Sequence, residues 1–257
     1  MLLVIDSGNT RTKWALIDEA LLNSDGVLQT TGACINADLS KSTLPQAVQK
    51  ASKVFIANVA GELVAQQLSK LVEPLTPNFL VAKQQACHVI NQYEPADKLG
   101  ADRWAALIAA WYITQQTTLV VNAGTAITID CLIKSEQDNT AVFLGGTIMP
   151  GLRLMQAALT QNTAQLNVGE GRYMAFPTNT QSAIQTGCLN AAVGAIVIQL
   201  QQLQQQYDLP PKIIISGGDA KVIFNALITH LKIAEKQVMM AENLVLQGLA
   251  ILGKETI

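Results

Sequence analysis

Apolar residues in this chain arrive in short runs separated by polar, turn-forming clusters. Leu2 to Ile5 form the first run, read as a buried strand, and Thr12 to Ile17 read as a returning strand. Between them Asp6-Ser7-Gly8-Asn9-Thr10 supplies turn chemistry, so the opening residues predict a hairpin with a carboxylate at its tip. Asn23 to Ser42 is polar and turn-rich, predicting more hairpin and loop, and Gln46 to Lys50 predicts a short helix. Val54 to Ala57 predicts a buried strand. A helix from about Gly61 to Val72 follows, with Leu63, Val64, Leu68 and Leu71 on one side. Phe79 to Val81 predicts a short strand, and Lys83 to Lys98 a loop holding Tyr93 and Pro95. The apolar segment Ala105 to Trp111 predicts a helix with Asp102 at or near its N-terminus.

The second half reads in the same terms. Val142 to Leu144 predicts a strand flanked by turns at Gly145-Gly146-Thr147 and Met149-Pro150-Gly151. Leu152 to Leu159 predicts a helix, and Asn162 to Thr180 an irregular stretch. Gln181 or Ser182 to Gln206 predicts helix in two pieces, broken around Gly187 and Gly194. Lys212 to Ile215 predicts a strand running into Ser216-Gly217-Gly218-Asp219-Ala220 and a helix, and Glu242 to Leu252 a final helix.

One pattern occurs twice. Leu119 to Asp130 repeats the opening hairpin: apolar strand, Asx-x-Gly-hydroxyl tip, apolar return. Asn122 lies where Asp6 lies, and Gly124 where Gly8 lies. A repeated hairpin in each half predicts two similar α/β domains, 1–115 and 116–257, with the tips facing one cleft.

Composition narrows the function classes. Of 257 residues, 49% are hydrophobic and 14% charged, which excludes a disordered chain. A net charge of -2 without Lys/Arg runs argues against a general nucleic-acid surface, so an anionic ligand needs a local site. Cys34, Cys87, Cys131 and Cys188 are scattered, as expected of reduced thiols in a cytoplasmic protein. His88 and His230 have no metal-ligand company nearby in sequence. The N-terminus lacks a basic region, so no signal peptide is expected. Trp104 to Ile129 contains no charged residue, yet Thr114 to Thr118 and Asn122-Ala123-Gly124 break it. Two buried elements are expected there, and no membrane span. P-loop, dinucleotide, nucleophile-elbow and zincin motifs are all missing.

If this chain handles phosphate, it does so with the paired hairpin tips. A glycine- and hydroxyl-bearing tip presents backbone N–H groups to phosphate oxygens while its aspartate faces a metal ion. Strand, Gly217-Gly218 turn and helix start bring backbone close to a nucleotide, or simply turn an α/β unit. Asp102 reads equally as a helix cap and as a carboxylate held rigidly for chemistry; the two are compatible.

These residues, taken in order, resemble the type III pantothenate kinases of the acetate and sugar kinase/Hsp70/actin superfamily. The family opening Asp-x-Gly-Asn-[Thr/Ser]-x-x-Lys stands as Asp6 to Lys13, and Gly-x-Asp-Arg as Gly100-Ala101-Asp102-Arg103. The second phosphate hairpin stands as Asn122 to Thr128. Gly-Gly-x-Ile-x-Pro-Gly stands as Gly145 to Gly151, and the adenosine-side Gly-Gly-Asp as Gly217-Gly218-Asp219. The resemblance implies two ribonuclease H-like domains with a cleft between them, and ATP-dependent phosphorylation of pantothenate, the first step of coenzyme A biosynthesis.

The resemblance also implies roles. Asp6, Ser7, Gly8, Asn9, Thr10, Arg11, Thr12 and Lys13 would surround the ATP phosphates, with Asp6 near Mg²⁺. Thr125, Gly217 and Gly218 would contact ATP. Asp102 would be the general base, and Tyr93, Gly100, Ala101, Asp102, Arg103 and Thr180 would line the pantothenate pocket. Homodimers are usual in the family, so Tyr93 and Thr180 would serve one site from different chains. Asn122 departs from the aspartate that commonly serves a monovalent cation, K⁺ or NH₄⁺; an amide oxygen carries no formal charge, which weakens the case for that cation. Three alternatives stay open: a superfamily kinase with another small alcohol substrate or a phosphohydrolase, a regulatory, non-catalytic relative acting in transcription, or a plain α/β domain whose turns coincide with the motifs. Retention of both Asp6 and Asp102 favours an enzyme.

Overall fold

A computed structural model describes residues 1–18, 30–161, 171–207 and 211–255. The stretches expected to be irregular at 23–29 and 162–170 therefore lie outside the described residues. The chain divides into two compact units. The first comprises Met1–Gln115, Ile133–Leu144 and Asn243–Ile257; the second comprises Gln116–Leu132 and Gly145–Glu242.

In the first unit, β1 (Leu2–Ser7) is the central strand of a five-stranded sheet. Leu2, Leu3, Val4 and Ile5 are all buried, because helices cover both faces and no position is left for alternation. On one side β1 pairs antiparallel with β2 (Arg11–Ile17), which pairs antiparallel with β3 (Thr30–Ile35). On the other it pairs parallel with β4 (Lys53–Asn58), which pairs parallel with β5 (Pro77–Phe79). The order is thus 3-2-1-4-5. A 3₁₀ turn (Asn36–Lys41), α1 (Leu44–Lys50) and α2 (Glu62–Leu71) cover one face. There Leu3, Ile5, Trp14, Leu44, Ile56 and Leu68 form the centre of a core cluster. Each such side chain contributes about 1.5–3 kcal/mol by leaving water. Against the sheet pack α3 (Ala101–Thr114) and α7 (Leu244–Glu255), which also pack on each other. The two helices approach so closely that a Cβ on Gly248 would lie 1.8 Å from the Ala105 carbonyl oxygen.

The stretch 83–98 is more ordered than its polarity predicts. It holds β6 (Gln85–Ala86) and β7 (Val89–Asn91), joined through Cys87 and His88, both in the left-handed region that suits a tight hairpin. Buried Val89 then aligns in parallel with Ala141 at the start of β10 (Ala141–Pro150).

The second unit repeats the sheet plan. Its centre is β8 (Thr118–Ala123), antiparallel to β9 (Ala126–Lys134) and parallel to β11 (Lys212–Ser216), which is parallel to β12 (Val238–Met240). With β10 beside β9, the order is again third-second-first-fourth-fifth. The expected turn at Gly145-Gly146-Thr147 does not form; β10 continues through it. Glycine is needed for close packing instead, since a Cβ on Gly146 would meet the Asp130 carboxylate at 2.2 Å. Helices α4 (Leu152–Gln161), α5 (Thr180–Gln206) and α6 (Ala220–Thr229) complete the unit.

Helix α5 is one piece rather than two. Ile184, Leu189, Val193, Ile196 and Leu200 bury one stripe, and that packing outweighs the ~1 kcal/mol that each of Gly187 and Gly194 costs a helix. By length and composition α5 could cross a membrane; 44% of its most apolar stretch is buried within the fold. All four cysteines are free thiols.

Candidate active site

The first tip is built by strand pairing. In the β1–β2 register Asp6 stands opposite Lys13 and Ser7 opposite Thr12, with residues 8 to 11 forming the turn. Gly8 N–H donates to Arg11 O at 3.0 Å. Ser7 and Thr12 are fully buried and their hydroxyls bond at 3.0 Å. The Thr12 hydroxyl donates to Asn36 Oδ1 at 2.9 Å, and Asn36 Nδ2 donates to the carbonyls of Gly8 (2.8 Å) and Asn9 (3.2 Å). Asn9, Thr10 and Arg11 remain exposed at the tip.

The same unit carries Asp102 in the first turn of α3. Gly100 occupies the cap position, so Asp102 is not the cap; its Oδ1 accepts the backbone N–H of Arg103 at 2.8 Å. A Cβ on Gly100 would sit 2.7 Å from that oxygen, which explains the glycine two residues earlier. Burial raises the Asp102 pKa, against the lowering pull of its hydrogen bond from Arg103 N–H and of the Arg103 charge. Burial, then the Asp102 charge, also push Asp6 up to about 7, opposed by Lys13. A buried carboxylate whose charge is held back by burial and by a neighbouring carboxylate marks a place where a cation is favoured.

Arg103 is buried, and its guanidinium carbon lies 5.6 Å from the Tyr93 ring centre and 5.9 Å from that of Phe143. Tyr93 and Phe143 themselves stack at 6.4 Å. The loop carrying Tyr93 hangs on buried Asn91. Its Nδ2 donates to Lys83 O (3.1 Å) and Ala96 O (3.2 Å), and its Oδ1 accepts Tyr93 N–H (2.9 Å). Tyr93, Gly100 to Arg103, Asp6 and the first tip thus belong to one unit.

The second unit gathers another part of the expected set. Asn122 stands opposite Thr128 in the β8–β9 register and beside Ser216 in the β8–β11 register. The tip spans residues 124 to 126, one fewer than the first, with Gly124 N–H donating to Ala126 O at 3.0 Å. Thr125 is exposed on it. Gly217 packs beneath: its φ is +106°, and a Cβ there would meet Ala123 O at 2.2 Å. Asp219 N–H donates to that same oxygen at 3.1 Å, so Gly217 and Gly218 are pinned against the Asn122–Thr125 tip. Thr180 lies elsewhere in the unit, exposed at the start of α5, which Asn179 caps by accepting Ser182 N–H at 2.9 Å. It edges a groove of about 990 Å³ between α4 and α5, lined by Leu154, Met155, Leu159 and Ile184 among others.

Asn36, Asn91 and Phe143 were not expected from sequence. Asn36 lies 24 residues beyond Thr12, and Phe143 joins Tyr93 only through the β7–β10 pairing, so no local spacing announces them.

Comparisons with known proteins bear directly on this arrangement. The family model described as type III pantothenate kinase matches residues 2–202. A type III pantothenate kinase of Methylobacillus flagellatus is 40% identical over 252 residues, 96% of each chain. That of Nitrosospira multiformis is 37% identical over 258 residues, covering 100% of this chain and 92% of its own. Among solved structures, a protein put forward as a Baf family transcriptional activator from Campylobacter jejuni matches with a TM-score of 0.59 at 22% identity, over 99% of this chain and 98% of that one. Another, put forward as a 2-dehydro-3-deoxygalactonokinase from Sinorhizobium meliloti, matches at 0.58 with 12% identity, over 100% and 99%. At those identities the structures establish the fold alone, that of the actin/Hsp70/sugar-kinase type with two similar domains. The full-length sequence matches go further: this chain belongs to the type III pantothenate kinase family.

Proposed function

We propose that this protein transfers the γ-phosphoryl group of ATP to the primary hydroxyl of pantothenate, giving 4′-phosphopantothenate for coenzyme A synthesis. The observation that carries the reading is the pairing, in one unit, of Asp102 on a rigid helix start with Asp6 at a glycine-hydroxyl tip. Phosphoryl transfer asks a protein for positioning and charge neutralisation more than for covalent chemistry. The tip from Asp6 to Lys13 faces the phosphates with backbone N–H groups and the Lys13 ammonium. In the second unit, Thr125, Gly217 and Gly218 are the residues proposed to contact ATP. Asp102, with its raised pKa, takes the proton from the attacking hydroxyl. Tyr93 and Gly100 to Arg103 position pantothenate, and the Arg103–Tyr93–Phe143 stack keeps that wall rigid.

Mg²⁺ fits the residues present. Among the described residues no three His, Cys, Asp or Glu side chains gather as a metal cage. Mg²⁺ bound with a nucleotide does not need one, since one or two carboxylates and the phosphates suffice. Asp6 would hold it, and the ion would supply charge neutralisation on the phosphates. Asn122, by contrast, offers an uncharged oxygen to a monovalent cation, and we propose that dependence on K⁺ is weak or absent.

The protein is further proposed to be a cytoplasmic homodimer, with Thr180 contributing to the pantothenate pocket. The apolar groove between α4 and α5 supports a second copy seated there. The test is product formation. Purified protein with Mg·ATP is offered pantothenate and a panel of sugar alcohols, with and without K⁺, and products are read by mass. Phosphopantothenate as the preferred product, at similar rates in both salts, is expected. A phosphorylated sugar instead would reassign the substrate, and no product from folded protein would favour the regulatory alternative.

A further inference from the structure

We propose that Asn36 is a positioning residue for phosphoryl transfer, locking the β1–β2 tip in the shape that offers its N–H groups to phosphate. The proposal rests on the reading of that tip as the ATP phosphate site. Residues 8 to 11 form a four-residue turn in which Gly8 N–H donates to Arg11 O. Asn36 adds bonds from outside the turn. Its side-chain amide donates to Gly8 O (2.8 Å) and Asn9 O (3.2 Å), and its backbone N–H donates to Thr10 O (3.2 Å). Its Oδ1 accepts from the Thr12 hydroxyl, which is tied in turn to buried Ser7. One side chain and its own backbone thus hold three consecutive carbonyls of the turn. In a trans peptide the N–H lies opposite the preceding carbonyl. Drawing the Gly8 and Asn9 carbonyls toward Asn36 therefore turns the Asn9 and Thr10 N–H groups to the other side, the arrangement that makes a turn an anion cradle. Asn36 reaches the tip because β3 pairs with β2 and delivers its end beside the turn.

The test compares Asn36→Ala and Asn36→Asp with Lys13→Ala and wild type in steady-state kinetics against both substrates, with thermal melts. Asn36→Asp keeps the acceptor for Thr12 and loses the amide donors, so it reads the tip even if Asn36→Ala fails to fold. Both Asn36 variants are expected to lose about 10²-fold in kcat/KM for ATP, the scale of a small misplacement at a reacting centre, while KM for pantothenate stays unchanged. Lys13→Ala is expected to weaken ATP as well. Wild-type ATP kinetics in both Asn36 variants, with Lys13→Ala impaired, would overturn the clamp alone. A parallel rise in KM for both substrates with a lowered melting temperature would reduce Asn36 to a structural residue. Unchanged ATP kinetics in all three variants would overturn the tip reading itself, and the clamp with it.

Discussion

Asp6 and Asp102 are each an ordinary residue type in an unusual setting. Asp6 sits one residue from the end of β1, where burial first and then the Asp102 carboxylate raise its pKa to about 7. In the unfolded chain it titrates near its ordinary value of 3.8. Between those values the folded state holds a proton that the unfolded state has lost, so stability falls as pH rises from about 4 to about 7. Asp6→Asn removes that charge. It is expected to melt higher than wild type at pH 8, with the gain shrinking toward pH 4, as thermal melts across pH would show. A constant difference at every pH would contradict the coupling. Both aspartates are legible in the sequence, because each lies in a short motif with its glycine. Their partners are not. Asn36 and Asn91 act through hydrogen bonds to backbone that the sheet brings to them from outside the motif. Asn91→Ala would leave the Lys83 and Ala96 carbonyls and the Tyr93 N–H without their bonds. It is expected to cost about 1–3 kcal/mol in urea unfolding and to raise KM for pantothenate while KM for ATP holds.

The elements that position these groups are held by close backbone approaches as much as by apolar burial. Helix α3, which carries Asp102, is fixed against α7 where Gly248 meets the Ala105 backbone. Gly248→Ala must push the helices apart. A loss of about 1–3 kcal/mol in urea unfolding is expected, and wild-type stability would mean that the crossing relaxes freely. The sequence pattern located α3 because an uncharged apolar run bounded by polar residues admits little else. It divides α5 and cuts short β10, since glycine in a sequence pattern punctuates. In both places the structure uses glycine inside a regular element: in α5 the buried stripe carries the helix through, and in β10 Gly146 makes room for Asp130. Polarity hid β6 and β7 for a related reason. Their pairing depends on one buried valine and a tight turn at Cys87 and His88, too short a signal for periodicity.

At the scale of the whole molecule the chain uses one plan twice. Each unit has a central strand, an antiparallel hairpin partner whose tip carries Asx and glycine, and two parallel strands on the other side. That repeat was visible in the two hairpin motifs, because strand-turn-strand chemistry is local. The return of α7 to the first unit was not visible, since helix packing across most of the chain length leaves no sequence spacing to read. The proposed role of Asp102 is that of base in a pantothenate kinase rather than support for α3. It is tested most directly by comparing Asp102→Asn with wild type in the rate of 4′-phosphopantothenate formation at saturating Mg·ATP, with melting temperature and ATP affinity measured alongside. A rate lower by about 10²–10⁴-fold is expected in a variant that folds and binds ATP normally. Wild-type turnover in Asp102→Asn would contradict it.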